Sequence, residues 1–248
     1  MIYMKLLKAD NYQTWFIEEA GQGVLIDPWL SNQLQPDNSI FIQRKRNQAC
    51  LLGNKDYEKV QAIIITAPFE DHLHIESIKS FPKSVKIYTS KFIKKLLLRA
   101  GVANDIYIIN AEGVDIGLIN FKALPTGFPY HPATFALLIE DSKGNRIFHE
   151  GHIARFKYLM KNNIKADVAI LTAEEVKLFG FLRLGMDYKR TLKACNILGA
   201  KELFITGSNP EKTTGFISKF LLIRSLEREK IQAKISVHHQ AGNSINLD

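Results

Sequence analysis

The sequence predicts an α/β protein, a four-layer αββα sandwich, and three observations point that way. Short segments rich in β-branched and aromatic residues crowd into 2–26 and again into 106–149. Each crowd is followed by strands that alternate with amphipathic helices. No Pro/Gly/Ser linker or low-complexity tract interrupts the chain, so residues 1–248 read as one domain. Two such halves would stack sheet on sheet with helices outside. A single doubly wound sheet accounts for the alternating parts but leaves both meanders without a place.

The elements follow in order. Ile2 to Leu7, Thr14 to Glu18 and Val24 to Ile26 are short strands bounded by Asp-Asn, Gly-Gln-Gly and Asp-Pro. Ala62 to Thr66 is a fully apolar strand, and Asp71 to Ser80 reads as the helix after it. KSVKIYTS is a strand that feeds SKFIKKLLLRAG, where Phe92, Ile93, Leu96, Leu97 and Ala100 share a helical face; Ser90 caps its start and Gly101 its end. Strands are expected near Ile106 to Ile109, Leu118 to Ala123, Thr134 to Ile139 and Asn145 to His149. A helix after Ile153, strand Ala166 to Leu171, helix Asp187 to Leu198, strand Glu202 to Ile205 and helix Thr213 to Lys230 come next. Strands Lys234 to Val237 and Ser244 to Leu247 close the series.

Composition narrows the function classes. Thirty-three Lys and Arg against 25 Asp and Glu leave +8, compatible with an anionic substrate, nucleic acid or an acidic surface. The charge gathers at Arg44-Lys45-Arg46, at Lys91, Lys94, Lys95 and Arg99, and from Lys212 to Lys234; solvated helix faces account for most of it. Basic and aromatic residues do not alternate as in a nucleic-acid module. Cys50 and Cys195 lie far apart, which suits a reducing compartment. The N-terminus lacks the pattern of a signal peptide, and no apolar run approaches the roughly 18 residues that cross a bilayer. A cytoplasmic protein with no membrane partner is the expectation. Neither G-x-x-x-x-G-K-[ST] nor G-x-G-x-x-G occurs, nor a G-x-S-x-G elbow, so nucleotide binding and serine hydrolysis have little support.

TAPFEDHLH, at 66–74, sits where a strand ends in a polar loop before a helix. Asp71 and His72 offer a carboxylate and an imidazole, ligands that Zn²⁺, Mn²⁺ or Fe²⁺ accept. Equally, Asp71 can cap the helix, for about 1 kcal/mol, with His72 and His74 solvated.

LIDPWL at 25–30, AIIITAPFEDH at 62–72, RIFHEGH at 146–152 and AGNSINL at 241–247 resemble the landmarks of the metallo-β-lactamase superfamily, across nearly the whole chain. In that family a strand leads into H-x-H-x-D-H, a later strand into Gly-Asp, and further histidines complete a two-metal site. Asp27 matches the family's early aspartate, which lies beside the site. The departures are large. Ala67 and Phe69 stand where the leading histidines would be, Gly151-His152 replaces Gly-Asp, and ITGSNP at 205–210 lacks the late histidine. The resemblance implies that Asp71, His72 and His152 keep one metal position. They would hold a single divalent ion, Zn or else Mn or Fe. Glu150, two residues before His152, would share its strand face and serve as general base or orient an imidazole. Glu70 is the lesser candidate for that part. A bacterial and plant branch of the superfamily is similar in D-H-x-H and E-x-H, which adds His74 to the set. Asp71, His74 and Glu150 are thus the candidate catalytic residues, and Asp71, His72 and His152 the candidate metal ligands.

Other residues carry less. His131 lies between prolines near a loop that bears ligands in the family; His149 alternates away from His152. His238 and His239 are adjacent on a strand and cannot serve one ion together. Thr172, Glu174 and Glu175, with Thr206, Ser208 and Asn209, follow strands and could line a rim. The implied activity is hydrolysis of a small, anionic ester, lactone, amide or phosphodiester. The competing reading is a catalytically inactive protein without metal that binds nucleic acid or a protein partner through its basic surface.

Overall fold

The computed structural model describes residues 3–31, 33–34, 43–45, 49–207, 212–224 and 226–248; the side chains of 33–34, 43–45 and 212 are outside that description. Ser208, Asn209 and the Arg44-Lys45-Arg46 side chains lie outside it. The first half supplies β1 (Met4–Lys8), β2 (Trp15–Glu19), β3 (Gln22–Ile26), β4 (Gln33–Leu34), β5 (Gln43–Lys45), α1 (Asn54–Glu58), β6 (Val60–Ile65), α2 (Ile75–Lys79), β7 (Lys86–Thr89), α3 (Lys91–Arg99) and β8 (Ile106–Ile108). The second supplies β9 (Val114–Ile116), β10 (Ile119–Pro125), β11 (Phe135–Glu140), β12 (Arg146–His149), α4 (Phe156–Lys161), β13 (Val168–Leu171), β14 (Glu175–Leu178), β15 (Leu182–Arg183), α5 (Tyr188–Leu198) and β16 (Glu202–Ile205). β17 (Lys212–Thr214), a 3₁₀ turn (Ile217–Phe220), β18 (Leu221–Arg224), α6 (Arg228–Gln232), β19 (Ser236–His238) and β20 (Ser244–Leu247) complete it.

Two seven-stranded sheets result, in the orders β20-β1-β2-β3-β6-β7-β8 and β19-β16-β13-β12-β11-β10-β9. Each combines an antiparallel meander with parallel strands joined by helices, as the repeated pattern predicts. Their inner faces share one core, in which Ile17, Ile63 and Ile65 of the first sheet lie with Leu137, Ile139, Ile147 and Ile170 of the second. Removing each such side chain from water is worth about 1.5–3 kcal/mol. A second core joins the outer face of the second sheet, through Phe148, Ala169 and Leu203, to Leu159, Ala194, Cys195 and Leu198 on α4 and α5. This is the αββα sandwich.

Ser90 caps α3 by accepting from the Ile93 amide at 3.3 Å, and Asp187 caps α5 by accepting from the Arg190 amide at 2.9 Å. Gly199, at φ 75°, closes α5 in the left-handed region. Two helices differ from expectation. α2 begins only at Ile75 and is capped by His74, not Asp71. The helix expected over Thr213 to Lys230 is instead a strand, a 3₁₀ turn, a strand and a short helix. Gly215, at φ 102°, breaks the run early, and Leu221–Arg224 pairs with β14. β14 and β15 form with β18 a small third sheet that the alternation did not announce.

At one end of the sandwich the sheets are fastened together. Lys8, at the end of β1, donates to the Ile205 carbonyl at 2.7 Å, and its ammonium lies 4.7 Å from the Trp15 ring centre. The Tyr12 carbonyl accepts from Thr206 Oγ1 and the Gly207 amide, each at 3.0 Å, and Phe135 N donates to Thr66 O at 3.1 Å.

Burial lowers the Lys8 pKa to about 8, with Asp10 opposing in part. A base whose folded pKa is depressed binds fewer protons folded than unfolded, so stability rises between pH 8 and about 10.5. Melting curves of the wild type minus those of Lys8→Met should therefore gain over this window, by at most about 3 kcal/mol. A pH-independent difference would contradict this assignment.

Candidate functional site

The fastened end is where the parallel strands β3 and β6 of one sheet, and β12, β13 and β16 of the other, present their carboxyl ends. Asp27 directly follows β3 and Thr66 directly follows β6. The buried isoleucines 63–65 anchor β6, so the chain can turn polar only after it leaves the core. Asp27 takes a left-handed φ of 48°, with its amide donating to Ile64 O at 2.9 Å and its carbonyl accepting from Thr14 Oγ1 at 3.2 Å. Its side chain then faces β6. Oδ1 accepts from the Thr66 amide at 2.7 Å, and Oδ2 from Thr66 Oγ1 at 2.5 Å.

Oδ2 also lies 2.6 Å from His72 Nδ1. Asp27 and His72 are both fully enclosed, which strengthens this contact by excluding water. With Nδ1 committed to the carboxylate, the imidazole is oriented with Nε2 outward, 4.0 Å from Asp71 Oδ2. Tyr12 OH donates to the same Asp71 oxygen at 3.1 Å. Tyr12 is fixed by its carbonyl contacts, by the bond from its amide to Asp10 Oδ1 at 2.7 Å, and by an edge-on contact with Trp29 at 5.9 Å. Sequence reasoning missed Tyr12. Its signal is the Asp-x-x-x-Thr turn, in which Asp10 Oδ1 also accepts from the Thr14 amide at 2.9 Å.

His152 enters from the second sheet. Gly151, at φ 57°, is confined to glycine because a Cβ would stand 2.3 Å from Phe135 O. His152 itself has φ 94°, a strained value for a residue with a side chain. The turn carries its ring to 4.4 Å from the His72 ring. Tyr130 stacks on His152 at 4.2 Å and 12°, and Phe69 meets it edge-on at 5.5 Å. Phe69, in place of a family histidine, therefore forms an aromatic wall around His152.

The structure thus brings Asp71, His72 and His152 into one neighbourhood. It does not put Glu150 on the face of His152. β12 ends at His149, and the turn at 151–152 abolishes two-residue periodicity. Glu150 is fully buried on the α5 side, where Oε1 accepts from the Thr172 amide at 2.6 Å. Thr172 Oγ1 in turn donates to His152 O at 3.2 Å and accepts from the Met186 amide at 3.0 Å. Desolvation pushes the Glu150 carboxyl well above its ordinary range. His149 is buried and faces the inner side toward Asp27 and His72, and burial lowers its pKa to about 4. His74 Nδ1 accepts from the Ser77 amide at 3.2 Å and lies 2.7 Å from Ser77 Oγ. His131 is exposed. His238 stacks on Phe204 at 4.3 Å and bonds Glu202 at 2.8 Å.

The donor types fit a divalent cation: two imidazoles, a carboxylate, and a carboxylate behind one imidazole. Their spacing is more open than a bound ion would set. Among the described residues no three His, Cys, Asp or Glu side chains close on one point.

Because burial raises the Glu150 pKa, ionising this carboxyl costs the fold stability as the pH rises. Its stabilising part is complete below the ordinary glutamate pKa and is lost as pH rises toward its elevated folded value. Glu150→Gln should match the wild type in melting temperature at pH 5 and exceed it at pH 8. Equal melting temperatures at both would contradict a raised Glu150 pKa.

Residues 11–203 match the family model described as "Beta-lactamase superfamily domain". No curated protein matches the chain. Among solved structures, it is similar to the isothiocyanate hydrolase from Delia radicum gut bacteria, at 19% identity and TM-score 0.73, over 100% of both chains. A possible metal-dependent hydrolase from Veillonella parvula is similar at 17% identity and TM-score 0.69, over 100% of this chain and 99% of that one. A metallo hydrolase from the archaeon Ignicoccus hospitalis is similar at 18% identity and TM-score 0.65, over 99% of both. At these identities the likeness carries the fold, and the family match carries the assignment. The chain belongs to the beta-lactamase superfamily.

Proposed function

We propose that the protein is a metal-dependent hydrolase with a reduced site, in which Asp71, His72 and His152 hold one divalent ion. The observation that carries this reading is the Asp27–His72 contact at 2.6 Å, which turns Nε2 toward Asp71 in the cleft where His152 also arrives. Zinc suits the nitrogen-rich donor set best, with Mn or Fe as alternatives. A divalent ion supplies Lewis-acid polarisation of a carbonyl or phosphoryl oxygen and acidifies water.

The chain's own residues do the remaining work in this reading. Asp27 and Thr66 fix the His72 tautomer and ring plane. Tyr12 donates its phenolic proton to Asp71 and so holds that carboxylate. Glu150 acts through Thr172, which grips the His152 carbonyl, and so positions the turn from its buried place instead of taking a proton from water. His74 shapes the entry of α2 through its cap. Phe69 and Tyr130 wall the His152 side and exclude water from it. The substrate is a small ester, lactone, amide or phosphodiester, and the net charge of +8 favours an anionic one. A cytoplasmic location belongs to the same reading; among the described residues no helix is long and apolar enough to cross a membrane.

A second reading has its own support. Ala67 and Phe69 remove two donors, and the remaining ones do not meet at a point, as in a protein that keeps the sandwich to bind a partner. Metal analysis of protein purified without chelator separates the two. About one equivalent, lost in a His72→Ala/His152→Ala variant that still melts cooperatively, is the expected result. Near-zero metal in both proteins, with steeply salt-dependent binding to nucleic acid, would replace the first reading with the second.

A further inference from the structure

The small sheet β15-β14-β18 stands apart from both hydrophobic cores: Val176, Leu178, Leu182, Leu221 and Ile223 belong to neither. Its register pairs Val176 with Ile223, and Leu178 with both Leu221 and Leu182, so one face is wholly aliphatic. None of these five side chains is buried. Beyond this face, four phenyl rings form a chain. Phe179 lies 6.4 Å from Phe181 and 5.1 Å from Phe220, which lies 5.3 Å from Phe216. Their exposures run from 40% to 78%, highest at Phe181 on the hairpin tip. Exposed apolar surface on the order of 500 Å² is gathered here, at the upper end of what a monomer carries without a partner.

We propose that this hairpin sheet docks against the same sheet of a second copy of the chain. Two properties choose that occupant. First, the apolar surface with its polar margin approaches the roughly 800 Å² per partner of a standard interface, and a two-fold contact needs only one self-complementary patch. Second, the neighbouring charges are largely paired, three cations against two carboxylates. Glu175 takes Lys177 at 2.8 Å, Arg183 at 3.0 Å and Arg224 at 3.4 Å, while Asp187 takes Arg183 at 2.7 Å. Two such surfaces can meet without strong like-charge repulsion. An anionic membrane would instead call for about 4–8 uncommitted basic side chains. The root of the hairpin reaches the cleft: Tyr130, stacked on His152, donates its hydroxyl to Leu184 O at 2.8 Å. Pairing of two hairpins would therefore brace one wall of each site.

Sedimentation equilibrium from about 1 to 100 µM tests this, beside phosphatidylserine vesicle co-sedimentation. The wild type is expected to be a dimer that does not pellet with vesicles. Phe181→Glu/Ile223→Glu should weaken the dimer at least about 100-fold at an unchanged melting temperature. Phe181→Glu alone, at the exposed tip, should weaken it in part, and Phe92→Glu on α3 should leave it intact. A monomeric wild type at 100 µM, a dimer untouched by both hairpin variants, or wild type carried down by the vesicles would overturn the proposal.

Discussion

The contact between Asp27 and His72 holds the site together. It joins the ends of two adjacent parallel strands, and its cost and its benefit come from the same place. A carboxylate fully removed from water is expensive unless every lone pair is used. Here the Thr66 amide, the Thr66 hydroxyl and the imidazole use them. Because those donors come from the loop that directly follows β6, the strand register fixes the imidazole's direction. Packing holds that register: slipping β6 by one residue against β3 would exchange Ile63 and Ile65 with Ala62 and Ile64 between the two buried faces of the sheet and undo the fit on both.

Around this contact the surroundings are part polar and part aromatic. Tyr12 and Asp71 lie on one side; Phe69, Tyr130 and His152 lie on the other. Replacing two family histidines by Ala67 and Phe69 therefore does more than remove donors. It supplies a ring against which His152 packs, and His152 itself replaces a carboxylate. In the proposed reading, a donor set poorer in charge is matched to one ion, since fewer carboxylates balance fewer positive charges. Behind His152, the chain from Glu150 through Thr172 to the His152 carbonyl holds a strained turn in place from the helix side of the sheet.

Much of the fold was legible because burial writes itself into periodicity. The isoleucines of β6 and the Ser90 and Asp187 caps are local signals that tertiary structure had no reason to override. The β14–β18 pairing is not local. Leu221–Arg224 becomes a strand only because a hairpin some 40 residues earlier offers an edge, so a helical reading of the same residues was natural. Asp71, His72 and His152 were named through the family landmarks; the structure sets His72 beside Asp71 and beside His152, without three donors closing on one point among the described residues. The placements of Glu150 and His149 were not legible, because alternation was carried past His149 into a turn where two consecutive positive φ values cancel it. Tyr12 was invisible as a site residue, since its part depends on a contact across 59 positions of chain.

The central claim is that Asp71, His72 and His152 grip a single cation. X-ray absorption at the zinc edge of the zinc-loaded protein tests it most directly. The account predicts one zinc with two imidazole nitrogens near 2.0–2.1 Å and light oxygen donors at a similar distance. Scattering without imidazole, or a second metal at about 3.5–4 Å as in paired-metal hydrolases, would contradict it.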